Sequence, residues 1–456
     1  MKRISSSRNR CLWSVSVFGF MGCLYCIHLL FMINQSLVFL PDETSEFPNN
    51  HDHNDDVDLA SEEELKFPTF SSTGLATDGG ANLLQKFLDK DSEIRTFIFP
   101  DATNAIDPRK GNDQFYYYPG RIWLDLDGNP IQAHGGGILY DKISRKYYWY
   151  GENKNGPTKA GLIKDLPRVD IVGVGCYSSN DLWTWKNEGI VLKAEETNKN
   201  HDLYKTNVLE RPKVIYNEET GKYVMWMHID NGYYNKAAVG VAISGSPTGP
   251  FSYLYSMNPH GFDSRDMTVF KDDDGTAYLF YDSLHNLDMH VSQLSRDYLH
   301  VTNVVKILVG KHREAPAVFK HRAMYYMITS GCTGWAPNEA LVHVAESIMG
   351  PWEVLGNPCV GANKIFRDAT FFSQSTFVLP MPGAPPGTFV FLADRWKPED
   401  LRDSRYVWLP LTVEQEAYSE SPGDPVIPEV SIYWHKRWKI PYKRSSNDSS
   451  SKFLIP

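Results

Sequence analysis

Five times between Phe115 and Trp438 the sequence repeats one pattern: an apolar strand, a polar turn, then a strand rich in aromatic residues. The first copy pairs 137–140 with 147–150 across a turn at 141–145, and the second pairs 213–216 with 223–228. The third pairs 267–270 with 278–281 across Asp272-Asp273-Asp274-Gly275, the fourth 317–319 with 324–328, and the fifth 376–379 with 389–392. Almost no run between them has helical period. Most copies are followed by a second strand pair. Examples are 173–177 with Trp183-Thr184-Trp185 as its partner, 239–243 leading through Pro247-Thr248-Gly249-Pro250, and 342–345 leading through Gly350-Pro351-Trp352. Four strands per unit, and five units at intervals of roughly 50–75 residues, predict an all-β fold, a five-bladed β-propeller over 113–440. A β-sandwich gives no reason for one hairpin to return five times.

The flanks read differently. Lys2, Arg3, Arg8 and Arg10 precede an uncharged stretch, 11–33, of roughly the 20 residues needed to cross a bilayer. Positive charge stays on the cytosolic side, so 1–10 is expected to be a cytosolic tail, 11–33 a transmembrane signal anchor, and the remainder lumenal. A cleaved signal peptide would have a shorter apolar region ending at small residues, and 37–41 offers none. Residues 42–66 carry ten acidic side chains against one Lys, a composition that cannot bury enough surface to offset its ordering entropy. The stretch 34–112 is therefore read as a flexible lumenal stem, with a short helix near 82–95, and the Ser-rich 441–456 as a disordered tail. Asn447-Asp448-Ser449 in that tail is a glycosylation sequon. A net charge of −9 excludes nucleic-acid binding through a broad basic field. Six cysteines in 456 residues do not make a disulfide scaffold, and only Cys176, Cys332 and Cys359 fall in the body.

Polar residues gather where the repeats begin. Glu210-Arg211-Pro212-Lys213 opens the second unit, Ser264-Arg265-Asp266-Met267 the third, Arg313-Glu314-Ala315-Pro316 the fourth and Ser373-Gln374-Ser375-Thr376 the fifth. Equivalent positions of successive blades face one funnel, so Glu210, Asp266, Glu314 and Gln374 are expected around a shared centre. Carboxylates crowded there repel, which raises at least one pKa and keeps a proton available for general-acid work, as glycoside hydrolysis requires. The plainer reading pairs each acid with its neighbouring arginine (Arg211, Arg265, Arg313) and leaves only ties between blades.

Together with Gln132-Ala133-His134-Gly135-Gly136-Gly137 and Trp149-Tyr150-Gly151-Glu152, these motifs make the stretch from about Gln132 to Trp396 resemble glycoside hydrolase family 43. Within that family it is most like the exo-β-1,3-galactanase-like subfamily of plant-type and microbial proteins. The resemblance implies that Glu314 is the general acid and Asp266 the carboxylate that tunes and orients it. Glu152, Glu210, Tyr234, Asn286 and Thr333 would bind the hydroxyls of a terminal galactose, and Trp335 would stack on a sugar face. The family inverts anomeric configuration, with a separate group activating water. The wider family supplies an Asp from the first blade as that base, where this chain has Gln132-Ala133-His134. In the galactanase-like subfamily the water is held by a glutamine, here Gln374, acting through an imidic-acid tautomer or by positioning water. Glu210 is the competing assignment. The implied protein is a single-pass type II Golgi membrane enzyme, its catalytic domain lumenal, acting on β-1,3-galactan or arabinogalactan glycans. The alternatives are a non-catalytic galactan-binding propeller, or an arabinofuranosidase or xylosidase of the same fold.

Other signals are set aside. His134-Gly135-Gly136-Gly137 resembles a lipase oxyanion loop, but the chain has no G-x-S-x-G elbow. Asp272-Asp273-Asp274 ends in Gly275 between two strand patterns, as a hairpin turn requires, and is not read as the metal site of a glycosyltransferase. No His/Cys spacing suggests zinc, and neither a metal nor another cofactor is expected.

Overall fold

A computed structural model describes residues 93–111, 114–163, 166–414 and 429–440. The expected tail, membrane anchor, acidic stem up to residue 92 and sequon lie outside the described residues, among which no helix is long and apolar enough to cross a membrane.

Five sheets, antiparallel except for one short edge strand, form the body. The first blade is β1 (His134–Asp141), β2 (Lys146–Glu152), β3 (Gly173–Ser179) and β4 (Lys186–Lys193). The second is β5 (Val208–Asn217), β6 (Lys222–Asp230), β7 (Ala238–Ser244) and β8 (Ser252–Met257). The third is β9 (Met267–Lys271), β10 (Ala277–Ser283), β11 (Asp288–Leu294) and β12 (Val301–Ile307), and the fourth β13 (Arg313–His321), β14 (Met324–Gly331), β15 (Leu341–Ala345) and β16 (Glu353–Gly356). In the fifth, β18 (Gln374–Pro380), β19 (Thr388–Arg395), β20 (Arg405–Val413) and β21 (Val430–Tyr433) follow in order, and the short β17 (Cys359–Val360) lies parallel to β21 at the outer edge. The innermost strands β1, β5, β9, β13 and β18 neighbour one another in a ring, which makes the fold a five-bladed propeller.

Each blade packs on two neighbours, so its second strand is apolar on both faces. In β6, every residue from Tyr223 to Asp230 is buried, whereas the outer strand β12 is largely exposed. Five apolar layers fill the five seams among the described residues. The seam between the last blade and the first carries much of the tryptophan: Trp123, Trp149, Trp183, Trp185, Trp408 and Trp438. Tyr117 closes the ring there. It exchanges backbone hydrogen bonds with Trp438 at 2.8 and 3.1 Å and stacks on its indole with centroids 4.6 Å apart.

Two details differ from the sequence reading. Trp183-Thr184-Trp185 is not the partner strand of β3. The N–H groups of Trp183 and Thr184 donate to Asp181 Oδ1, which holds these residues in a turn and sends both indoles into the closing seam, while Lys186–Lys193 supplies the strand. Packed structure also begins before residue 113: Ile98, the last residue of the short helix Glu93–Ile98, and Phe99 after it are buried against blades four and five. Of the three thiols in the body, all free, Cys176 and Cys359 are buried and Cys332 is exposed.

Candidate active site

The motif residues converge because the inner strands are bent at the same place. Register shifts occur between His134 and Gly137 in β1, Glu210 and Lys213 in β5, Glu314 and Ala317 in β13, and Ser375 and Phe377 in β18. At three of them a residue takes the left-handed conformation: Gly135 (φ 59°), Arg211 (φ 55°) and Ala315 (φ 54°). Such a bulge re-aims the side chains before it. Here it turns Glu210, Glu314 and Gln374 out of the pleat and into one funnel, where Asp266, just ahead of β9, joins them. Left-handed Arg and Ala cost conformational energy, a pattern concentrated at functional sites.

Arg211 is the hub. Its Nη2 donates to Asp266 Oδ2 at 2.7 Å and to Gln374 Oε1 at 2.6 Å, and its Nη1 to the Ser375 carbonyl at 3.0 Å. Arg265 instead pairs with Asp263 and His285, and Arg313 bonds to Thr329 and the Glu339 carbonyl. The plain reading of neighbour-to-neighbour ion pairs therefore does not hold, and Glu314 is left without an arginine of its own. Its oxygens are held by two amides: Gln374 Nε2 donates to Oε1 at 2.9 Å and Asn286 Nδ2 to Oε2 at 3.1 Å. Burial, then the negative charge of Asp266, push the Glu314 carboxyl up to about 8 against the pull of Arg211. At neutral pH it carries a proton.

Glu210 is the opposite case. Burial would raise its pKa, but His228 and Lys154, with the Tyr234 hydroxyl, draw it down to about 2. His228 Nδ1 lies 3.1 Å from Glu210 Oε2 and Nε2 3.2 Å from Asp230 Oδ2, and Tyr234 donates to Glu210 Oε1 at 2.8 Å. Burial disfavours the imidazolium, yet these two carboxylates lift His228 to about 10. Two of the funnel's carboxyls are thus set apart, Glu314 raised and Glu210 lowered, the division of roles that acid–base chemistry on a glycosidic bond requires.

Gln374 is fully committed. Its Oε1 faces Arg211 and the Trp396 indole N–H (2.9 Å), both of which only donate, and its Nε2 also donates to Ser330 Oγ at 3.0 Å. That setting suits the ordinary amide tautomer, whose oxygen accepts from two donors. Glu152 is sunk beneath the funnel, Oε1 accepting from the Arg211 N–H at 3.1 Å and Oε2 lying 2.5 Å from Lys154 Nζ. Burial raises its pKa, Lys154 opposing.

One side of the funnel is roofed. Trp335, from the loop after β14, donates to the Pro167 carbonyl in the loop after β2 at 3.0 Å and meets Trp396 edge to face at 5.1 Å. Lys154 Nζ lies 5.6 Å from both indoles. Glu152, Glu210, Tyr234, Asp266, Asn286, Glu314, Trp335 and Gln374 all line this space. Thr333 does not. It is exposed in the loop after β14, its hydroxyl donating to the Ala336 carbonyl at 2.6 Å and accepting from Asn338.

Sequence reasoning missed Trp396 and His228 and gave Arg211 only a tying role. His228 had a signal: in the alternation of β6, His228 and Asp230 share a face with Glu210's strand alongside. Ligand atoms of Glu210, His228 and Asp266 lie within 4.8 Å of one another, the spacing of a cation site. The His228 imidazolium and Arg211 already supply positive charge there, so a metal ion would have to displace them.

The model of the glycosyl hydrolases family 43 matches residues 137–369. Among solved structures, a GH43 β-1,3-galactosidase with galactodeoxynojirimycin is 40% identical, covering 71% of this chain and 100% of its own, with a TM-score of 0.61. An exo-β-1,3-galactanase from Phanerochaete chrysosporium, with β-1,3-galactotriose, is 35% identical over 72% of this chain and 69% of its own, with a TM-score of 0.60. A curated β-D-galactofuranosidase of Aspergillus niger is 27% identical over 210 residues, 41% of this chain, which spans 58% of that relative's length.

Proposed function

The chain belongs to glycosyl hydrolases family 43, and from that premise we propose that it is an exo-acting β-1,3-galactosidase trimming β-1,3-galactan, such as the glycan of arabinogalactan proteins. The observation that carries the reading is Glu314, a carboxyl kept protonated at neutral pH and clamped by two amides at the mouth of a roofed funnel. Glu314 gives its proton to the leaving oxygen, Asp266 raises and orients it, and Tyr234, Asn286 and Trp335 hold the terminal galactose. The Trp335–Pro167 bridge supports exo action, because a funnel closed on one side admits a chain end rather than a chain middle. The water's proton goes to Glu210, which is ionised and faces the funnel, while Gln374, with both lone pairs taken, holds the acid in place. The product then carries inverted configuration. In the same reading residues 11–33 anchor the enzyme in the Golgi membrane with its body in the lumen.

The test is galactose release from β-1,3-galactan by the purified full-length chain, with the anomer followed by NMR. Glu314→Gln should lower the rate roughly 10²–10⁴-fold. Saturable galactan binding without turnover would mark a binding module instead, and release of arabinose or xylose in place of galactose would move the enzyme elsewhere in the family.

A further inference from the structure

Asp282, at the end of β10, is fully buried and has no part in the chemistry above. Its backbone N–H donates to the Asp266 carbonyl at 3.1 Å, which seats it directly behind the funnel. Its Oδ2 accepts from Asn286 Nδ2 at 3.0 Å, and Oδ1 has no hydrogen-bond partner among the described residues. The same Asn286 nitrogen donates to Glu314 Oε2 at 3.1 Å, so one amide is strung between two carboxyls. Asn286 reaches this position from a turn in which Leu284, His285 and Asn286 are all left-handed (φ 52°, 57° and 63°). Asp263 secures the turn by accepting from the N–H groups of Leu284 and His285. The acid is therefore gripped from two sides, by Gln374, anchored on Arg211 and Trp396, and by Asn286, anchored on Asp282.

We propose that Asp282 is a positioning residue that, through Asn286, fixes the orientation in which Glu314 meets the leaving oxygen. The proposal rests on Glu314 being the acid. A carboxylate with one buried oxygen lacking any donor would be costly, whereas a neutral carboxyl can accept from Asn286 there without repelling Glu314. The charged groups facing it agree: burial, then Asp266 and Glu314, raise its pKa well above the ordinary range, with His228 and Arg265 opposing.

The test compares two substrates of the full-length chain: β-1,3-galactobiose, whose leaving oxygen needs a proton, and 2,4-dinitrophenyl β-galactoside, whose leaving group does not. Asp282→Ala should lower kcat on galactobiose by about 10²-fold with little change in KM, and change the dinitrophenyl rate only a few-fold. Asp282→Thr, of similar volume and suited to a strand, should behave alike if the alanine variant does not fold. Asn286→Ala, which also loses a sugar contact, should lose at least as much on galactobiose and raise KM besides, the double variant should be no worse than Asn286→Ala alone, and Asp282→Asn should restore most of the rate. Equal losses on both substrates, or losses that multiply in the double variant, would overturn the proposal alone. A wild-type chain inactive on both galactosides would overturn the functional reading and this proposal with it.

Discussion

Arg211 and Asp266 face each other at 2.7 Å across the boundary between the second and third blades, although each has an oppositely charged neighbour in its own motif. The pair is almost closed to solvent, with side-chain exposures of 6% and 15%. It ties Asp266 to Arg211 and leaves Glu314 with no arginine bonded to it, so the asymmetry of the site follows from which blade the guanidinium crosses to.

Replacing Arg211 by Met should be costly twice. Breaking a buried pair leaves an uncompensated carboxylate, worth about 3–5 kcal/mol, which a denaturant melt of the variant would register. Arg211 also holds Glu314 down, so the basic limb of the kcat/KM profile should move to higher pH.

The pH dependence of the wild type follows from Glu314. Its carboxyl must carry the proton to act, and with a pKa near 8 the rate on unactivated galactosides should fall as pH rises through about 8. A plot of kcat/KM against pH that is flat from 7 to 9 would remove Glu314 as the acid.

Stability should depend on the triad of Glu210, His228 and Asp230 in a defined window. His228 is raised from 6.5 to about 10, so its contribution is complete below about 6.5 and is lost as pH rises through 10. Glu210 is lowered from 4.5 to about 2, so its contribution is present above about 4.5 and is lost as pH falls through 2. Both are intact between about 4.5 and 6.5. The thermal midpoint of His228→Gln relative to wild type should accordingly be lowest in that window, with the gap narrowing toward pH 10.

Gly151 is required for close approach of β2 to the residues before β1. A Cβ built there would lie 2.0 Å from the Ala133 carbonyl carbon and 2.2 Å from its oxygen, both backbone atoms that cannot rotate aside. Gly151→Ala should destabilise the fold by about 1–3 kcal/mol or more. Since Glu152 follows directly, activity should fall with it. A melting temperature equal to wild type would refute the packing argument.

The repeat of the hairpin was enough to specify five blades, and the motifs at each repeat start were enough to nominate Glu210, Asp266, Glu314 and Gln374. Both are local properties: strand period, turn residues and position relative to the next strand are written within a few residues of each other. The burial of Ile98 and Phe99, the packing of the Trp183 and Trp185 indoles into the closing seam, and the closure of that seam by Tyr117 against Trp438 depend on contacts between distant segments. The same holds for the chemistry. Sequence supplied the carboxyls, but their division into one protonated and one ionised group was decided by bulges that aim Arg211 at Asp266, by His228 rising between Glu210 and Asp230, and by Asn286 bridging Asp282 to Glu314. A carboxyl's proton affinity is set by burial and by charges a few ångströms away, and those neighbours come from three different blades.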